Sequence, residues 1–336
     1  MTTLAIRHHR YGPPEEVVQL DTLELGPLAN DDVRIAMHYS PINPADLNMI
    51  EGQYLEQPPL PSVLGNEGVG IIEEIGKDVT DLKPGDIVIT PLRLGSQWRG
   101  AWAQYRDVPA QECLVCPEGI DLKQAAMLSI NPLTAWCFLD TIVPLKKGDW
   151  ILQNLAHSGV GHAVIQLAKV KGLKTINLVR NKSHQDALLA QGADEVWIDQ
   201  KDVFKEICKK DPDRRISLGL NGVGGQSAKE VAKALSTKGT MVTYGAMARE
   251  PLQLSNRLLI YDDKRFIGFN RTRWVKDSTE SQVRQSYEHI IPLCHQGVLQ
   301  IPVEKCYPAN QVSDAIQCAM QSGRKGKVLL AWVTDH

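Results

Sequence analysis

Asp149-Trp150-Ile151-Leu152-Gln153-Asn154-Leu155-Ala156-His157-Ser158-Gly159-Val160-Gly161 is the stretch on which the reading of the fold turns. Trp150 to Leu152 is a short apolar run. The turn after it closes on Gly159-Val160-Gly161, and Ala163, Val164, Ile165, Leu167 and Ala168 then recur at helical spacing. A second apolar run, Thr175 to Val179, follows. Strand, tight turn, helix and strand in this order make a parallel crossover, which sets a helix N-terminus beside a strand end. Backbone N–H groups there suit a diphosphate. The glycine pattern of dinucleotide sites, G-x-G-x-x-G, is reduced here to Ala156-His157-Ser158-Gly159-Val160-Gly161, with only its last glycine in place. Ala156 and Ser158 are small enough to admit a phosphate, and Gly161 lets the helix close on the strand. An ordinary strand-helix turn is the plainer alternative; the strand-helix-strand context favours the nucleotide.

The end of the second strand selects among nucleotides. A site for NADH carries Asp or Glu about 20 residues after the glycines, to accept from the ribose 2′-OH. Here the strand runs out in Val179-Arg180-Asn181-Lys182. A carboxylate would repel a 2′-phosphate, whereas the planar guanidinium of Arg180 offers it a fork of donors and Lys182 adds a second positive charge. The expected cofactor is NADPH.

The chain has 336 residues, 43% of them hydrophobic, and a net charge of −2. That is enough for two domains with their own cores, and too balanced for a nucleic acid or a charged membrane surface as partner. No apolar run approaches the roughly 20 residues that span a bilayer. Met1 to Tyr11 has no apolar signal core and reads as a strand leading into Gly12-Pro13-Pro14. The location expected from this is cytoplasmic. Seven cysteines at irregular spacing argue against a disulfide scaffold. Cys113-Leu114-Val115-Cys116 is formally C-x-x-C, but it has no second pair and lies in an apolar run, so it reads as two core cysteines.

From Leu4 to about Gly119 the chain shows short strands broken by Gly and Pro: Leu4–Ile6, Val33–Met37, Val69–Ile75, Ile87–Thr90 and Trp102–Val108. Few helical stretches interrupt them, as in an antiparallel, partly open barrel. Helical patterns start at Leu122 and Asn131. Strands and helices then alternate through Glu195–Ile198, Ile216–Asn221, Ser227–Leu235 and Thr240–Tyr244, the alternation of a doubly wound parallel sheet. After Phe266-Ile267-Gly268-Phe269 come a helix near Ser281–Cys294 and strands near Ile301–Tyr307 and Val328–Trp332, read as a return to the first domain. The expected division is 1–122, 123–268 and 269–336.

With Gly65-Asn66-Glu67-Gly68-Val69-Gly70 and Pro84-Gly85-Asp86 ahead of the nucleotide unit, the whole chain resembles the medium-chain dehydrogenase/reductase superfamily. That resemblance implies an α/β fold, a Rossmann sheet plus a GroES-like barrel. Within it, Ile42 to Tyr54, Asn131-Pro132-Leu133-Thr134-Ala135, Gln153-Asn154, Thr175 to Arg180 and Gly239 to Met247 are most similar to mitochondrial-type 2-enoyl thioester reductases. Quinone oxidoreductases stand next to them. In the zinc alcohol dehydrogenases of the superfamily a Cys near Asn43 and a His near Asn66 hold the catalytic metal, and four Cys around Leu92 to Gln111 hold a structural one. This chain has no cysteine before Cys113, and an amide is a poor zinc ligand, so no metal is expected.

The resemblance implies NADPH-dependent reduction of trans-2-enoyl thioesters, on coenzyme A or acyl carrier protein, to saturated thioesters. Hydride goes to Cβ and a proton to Cα. It makes Tyr54, closing Gly52-Gln53-Tyr54, the proton donor, since a phenol of pKa about 10 is protonated at neutral pH. It places Asn131, Thr134, His157, Ser158, Gly159, Val160 and Gly161 at the cofactor, and Arg180 and Lys182 at its 2′-phosphate. Tyr244, Gly245, Ala246, Met247 and Phe269 fall at the nicotinamide end, and Lys327 nearby. Asn131 and Pro132 equally suit a helix start. Asn270 stands where these reductases carry Trp. An NADPH:quinone oxidoreductase is the alternative activity, a nucleotide-binding protein without turnover the non-enzymatic one. A homodimer is implied.

Overall fold

The computed structural model describes residues 1–54, 57–90 and 100–332. The chain folds as two compact units, Met1–Ile130 with Val275–His336, and Asn131–Trp274. The sequence predicts divisions at 122/123 and 268/269; by contacts they fall at 130/131 and 274/275.

The first part of unit one carries strands β1 (Thr2–His8), β2 (Val18–Glu24), β3 (Asp32–Pro41), β4 (Ser62–Val63), β5 (Val69–Ile75), β6 (Ile87–Ile89), β7 (Tyr105–Pro109) and β8 (Leu114–Val115). Its helices are α1 (Pro14–Val17), α2 (Pro44–Ile50) and α3 (Leu122–Ala125). Unit two opens with α4 (Asn131–Asp140). Its strands are β9 (Trp150–Gln153), β10 (Lys174–Val179), β11 (Glu195–Ile198), β12 (Ile216–Asn221), β13 (Thr240–Thr243) and β14 (Arg265–Gly268). Between them run α5 (Gly159–Val170), α6 (Gln185–Gln191), α7 (Val203–Lys210), α8 (Gly225–Ala234) and α9 (Asn256–Ile260), and α10 (Arg271–Asp277) runs across the 274/275 boundary. The chain finishes in unit one with α11 (Glu280–His295), β15 (Val303–Pro308), α12 (Val312–Met320) and β16 (Lys327–Ala331).

Unit one holds a three-stranded sheet, β2-β1-β4, and a seven-stranded one in the order β15-β16-β3-β5-β6-β8, with β7 also on β3. β16 closes antiparallel on β3, Leu330 opposite Ser40, so the C-terminal strands complete the N-terminal sheet. The core gathers Ile6, Ile42, Ile50, Leu64 and Trp102 with Val312, Ala315, Ile316, Val328 and Leu330. The glycine-rich stretch before β5 is required by this packing. Gly65 has φ +93°, and a Cβ there would sit 2.1 Å from the Trp102 ring.

Unit two is a six-stranded parallel sheet in the order β11-β10-β9-β12-β13-β14. The strand order reverses between β9 and β12, and ligands of open α/β sheets lie outside the carboxyl ends at such a point. β9, β10 and β12 read as continuous apolar runs because both faces are covered: Leu152, Ile176, Leu178 and Leu220 are fully buried.

Candidate functional site

In unit two the turn after β9 is made by a residue the glycine pattern does not mark. Leu155 takes φ +54°, the left-handed position, so the first glycine of the usual motif is dispensable here. Ser158 caps α5, its hydroxyl accepting from the Gly161 N–H at 3.1 Å. The leading N–H groups of Gly159 and Val160 have no partner within the helix. Gly161 is indispensable: a Cβ would lie 2.3 Å from the Ala156 carbonyl oxygen.

A polar bridge runs across the carboxyl ends of the central strands. Asn154 Nδ2 donates to Asn221 Oδ1 and Ser227 Oγ, both at 2.8 Å, and Asn154 Oδ1 accepts from the Gly222 N–H at 2.8 Å. Asn221 Nδ2 donates to Thr243 Oγ1 at 3.1 Å, while Ser227 Oγ donates to Asp199 Oδ2 at 2.6 Å. Burial pushes the Asp199 carboxyl up. Beside β9, Gln153 Nε2 donates to Asn177 Oδ1 at 2.8 Å and to the Gly161 carbonyl at 3.1 Å. These side chains hold three strand ends in register. Gln153 and Asn154 were noticed in the sequence only as a likeness, because an amide at a strand end carries no pattern of its own.

Past β13, Tyr244 and Gly245 turn over the β12 end. A Cβ on Gly222 would lie 2.9 Å from the Tyr244 hydroxyl oxygen, and one on Gly245 2.8 Å from the Gly222 carbonyl. Phe138 of α4 touches both Tyr244 and Phe269, with centroids 5.0 and 5.1 Å apart. Burial raises the Tyr244 hydroxyl pKa and keeps it protonated. Ala246 and Met247 are exposed beyond it, and Asn131 and Thr134 are buried in the first turns of α4. Arg180 and Lys182 are exposed on the loop after β10, where Asn181 accepts from the Ser183 N–H at 2.9 Å. The His157 and His184 rings stack at 4.4 Å beside them. Asn270 is exposed at the start of α10, its Oδ1 accepting from the Arg273 N–H at 2.8 Å. It acts as a helix cap, which gives the missing aromatic a local reason.

In unit one, α2 is a helix the sequence reading passed over. Pro44 starts it and Asn43 caps it, with Asp46 accepting from the Asn43 N–H at 2.8 Å. The chain leaves α2 through Gly52, at φ +74° against the Tyr11 ring, and Gln53, whose N–H reaches the Asn48 carbonyl at 2.8 Å. Tyr54, half-buried, comes next, its carbonyl accepting from Gln57 Nε2 at 2.9 Å. Asn43 Nδ2 donates to Glu67 Oε1 at 2.9 Å, and Asn66 Nδ2 to Asp46 Oδ1 at 2.6 Å. Lys327 Nζ donates to Asn43 Oδ1. Cys113 and Cys116 are buried, and burial pushes both thiols up to about 12.

Residues 29–118 match the alcohol dehydrogenase GroES-like domain, and residues 159–289 the zinc-binding dehydrogenase domain. The mitochondrial enoyl-acyl-carrier-protein reductase of Homo sapiens is 38% identical over 97% of this chain and 88% of its own length. The chain belongs to the enoyl-acyl-carrier-protein reductase family, within the medium-chain dehydrogenase/reductases. A putative NADPH:quinone reductase from Bacillus thuringiensis superposes with a TM-score of 0.90 at 28% identity, over 98% of this chain and 99% of that one. The Etr1p complex with NADP and crotonyl-CoA does so at 0.86 and 25%, over 98% and 100%. The expectation of a cytoplasmic location does not stand, because curated relatives from Homo sapiens to Dictyostelium discoideum and Arabidopsis thaliana are mitochondrial reductases. Composition and core are the same for either compartment and could not have decided it.

Zinc does not fit the described residues at Asn43 and Asn66, despite the name of the matching domain. The Asn43 amide is committed to Lys327 and Glu67, that of Asn66 to Asp46, and a buried ammonium stands among them. Among the described residues no three of His, Cys, Asp and Glu gather as metal ligands. The region of the expected structural zinc falls partly on residues 91–99, outside the described residues. A nicotinamide dinucleotide does fit. The capped N-terminus of α5 and the close backbone approaches at Gly161, Gly222 and Gly245 all stand at carboxyl ends of the sheet.

Proposed function

We propose that this protein reduces the C=C bond of trans-2-enoyl thioesters, carried on coenzyme A or acyl carrier protein, with NADPH as donor. The observation that carries the reading is the end-to-end likeness to enoyl-acyl-carrier-protein reductases, 38% identity over 97% of the chain. NADPH, when bound, supplies the hydride that goes to Cβ of the substrate. The N–H groups of Gly159 and Val160 receive its diphosphate, with His157, Ser158 and Gly161 shaping the turn. Arg180 and Lys182 take the 2′-phosphate, since no carboxylate closes β10. Asn131, Thr134, Tyr244, Gly245, Ala246, Met247 and Phe269 line the nicotinamide end. Tyr54 donates a proton to Cα as negative charge leaves the thioester oxygen.

NADPH:quinone reduction is the second reading, favoured by the 0.90 superposition on a putative quinone reductase. A quinone accepts hydride without an acid at Tyr54. The two part in one experiment: NADPH oxidation with crotonyl-CoA, a longer trans-2-enoyl-CoA and a benzoquinone panel, for wild type and Tyr54→Phe. The enoyl reading expects enoyl turnover that falls about 100-fold in the variant. Turnover of quinones only, unchanged in the variant, would overturn it.

The protein acts as a homodimer in this proposal. Among the described residues β14 is an edge strand, paired with β13 alone, and Ile267, Ile260 and Tyr261 beside it are 41%, 70% and 79% exposed. An apolar edge of that kind pairs with a second copy of itself or aggregates.

A further inference from the structure

Asp199 follows the last residue of β11 as Arg180 follows the last residue of β10, and the two strands are parallel neighbours with Ile198 opposite Val179. The Asp199 N–H donates to the Val179 carbonyl at 2.8 Å, and the charge of Arg180 acts on the Asp199 carboxyl. No carboxylate closes β10, but the next strand supplies one at the same edge. Its surroundings are fixed. Oδ2 accepts from Ser227 Oγ at 2.6 Å, Ser227 Oγ accepts in turn from Asn154 Nδ2 at 2.8 Å, and Asn154 Oδ1 accepts from the Gly222 N–H at 2.8 Å. With Asn154 donating to Ser227, the hydroxyl proton goes to Asp199 Oδ2, which leaves Oδ1 the better placed oxygen to carry a proton. Burial is the largest influence on the carboxyl and pushes it up; the Ser227 bond lowers it, the Glu230 charge from α8 raises it, and the Arg180 charge lowers it. Glu230 is held elsewhere, its oxygens accepting from Gln226 Nε2 at 2.5 Å and from the Phe204 N–H at 3.3 Å.

We propose that Asp199 is a specificity-determining residue of the nucleotide site: ionised, it opposes the 2′-phosphate of NADPH at Arg180, and it takes up a proton from solvent as that phosphate arrives, so that NADPH binds with proton uptake and NADH does not. The inference rests on the placing of the 2′-phosphate at Arg180. A phosphomonoester brings close to two negative charges at neutral pH. A like charge at short range disfavours the ionised form of a carboxyl that burial already disfavours. The phosphate also draws on the Arg180 guanidinium, whose charge is what favours the ionised form in the empty site. NADH presents a 2′-hydroxyl instead, which a carboxylate accepts from. The sign follows from linkage: the neutral carboxyl admits NADPH, so affinity is fullest below the Asp199 titration and is lost as pH rises through it.

The test is isothermal titration calorimetry of wild type, Asp199→Asn and Arg180→Ala with NADPH and with NADH, in buffers of different ionisation enthalpy between about pH 6.5 and 8.5, above the second pKa of about 6 of a free phosphomonoester. Kd and the number of protons exchanged are read together. Asn keeps the shape of Asp199 and still accepts from Ser227, and thermal unfolding checks the fold. His157, His184 and Lys182 titrate in their own right, as does the phosphate, so the Asp199 share is the difference between wild type and Asp199→Asn. The expected result is proton uptake by wild type with NADPH and none with NADH. Asp199→Asn should abolish the uptake and tighten NADPH about tenfold near pH 8, with NADH within about twofold. An NADPH Kd that is unchanged or weaker in folded Asp199→Asn overturns the proposal, as does an equal proton count for the two nucleotides in wild type. If Arg180→Ala costs NADPH nothing, the placing of the phosphate fails and the proposal with it. If that variant weakens NADPH while Asp199→Asn brings no gain, the placing stands and the proposal alone falls.

Discussion

Arg180 is the residue on which the proposed choice of cofactor turns. It sits exposed at the end of β10, where a carboxylate would mark an NADH site, and it faces solvent with Lys182 two residues on. A charge-assisted fork to a phosphate contributes more than a neutral hydrogen bond, so Arg180→Ala should weaken NADPH binding about tenfold and leave NADH unchanged. Titration of protein fluorescence with both nucleotides checks it, and equal losses for the two would remove Arg180 from the 2′-phosphate. This residue was legible in the sequence because its place is fixed by a strand end and a spacing. The Lys327 cluster was not: Asn43, Glu67 and Lys327 lie on three distant segments, which the pairings of β3 with β5 and with β16 bring together. His157 shows the same limit in small. Its stacking on His184 depends on the loop after β10, which no local pattern ties to the turn after β9.

At the scale of elements, the closing of α5 on β9 is the contact the nucleotide site depends on. A methyl group at Gly161 would meet the Ala156 carbonyl oxygen at 2.3 Å, and its nearest neighbours are all Ala156 backbone atoms rather than a flexible side chain. Gly161→Ala should therefore cost about 1–3 kcal/mol in thermal or urea unfolding and weaken NADPH binding with it. A variant of wild-type stability and affinity would show that α5 can move away. The strands of unit two were readable from sequence because burial on both faces writes continuous apolar runs such as Ile216–Asn221. α2 and α12 were missed for opposite reasons. α2 is short and held by its cap, Asn43, rather than by periodicity. α12 has a clear apolar face, Val312, Ala315, Ile316 and Ala319, but lies between two strand-like runs that drew the reading to themselves. The turn at Leu155 explains why the glycine motif looked weak: the left-handed position was occupied by a residue that gives no such signal.

For the whole molecule, the exposed β14 edge and the apolar Ile260 and Tyr261 predict self-association through unit two. Ile260→Glu with Tyr261→Glu should shift the sedimenting species from dimer to monomer at micromolar concentration, while NADPH still binds. A wild-type protein that sediments as a monomer throughout would contradict the dimer. The proposed chemistry, hydride from NADPH and a proton from Tyr54, leads to one chemical outcome. Hydride and proton must come from different sources and reach adjacent carbons. The measurement that tests this most directly is isotopic: crotonyl-CoA reduced with NADPH carrying deuterium at the transferred position, and separately with unlabelled NADPH in deuterated water, with the butyryl product read by NMR. The account predicts one deuterium at Cβ in the first case and one at Cα in the second. Recovery of crotonyl-CoA unreduced, while a quinone is consumed in the same preparation, would contradict it.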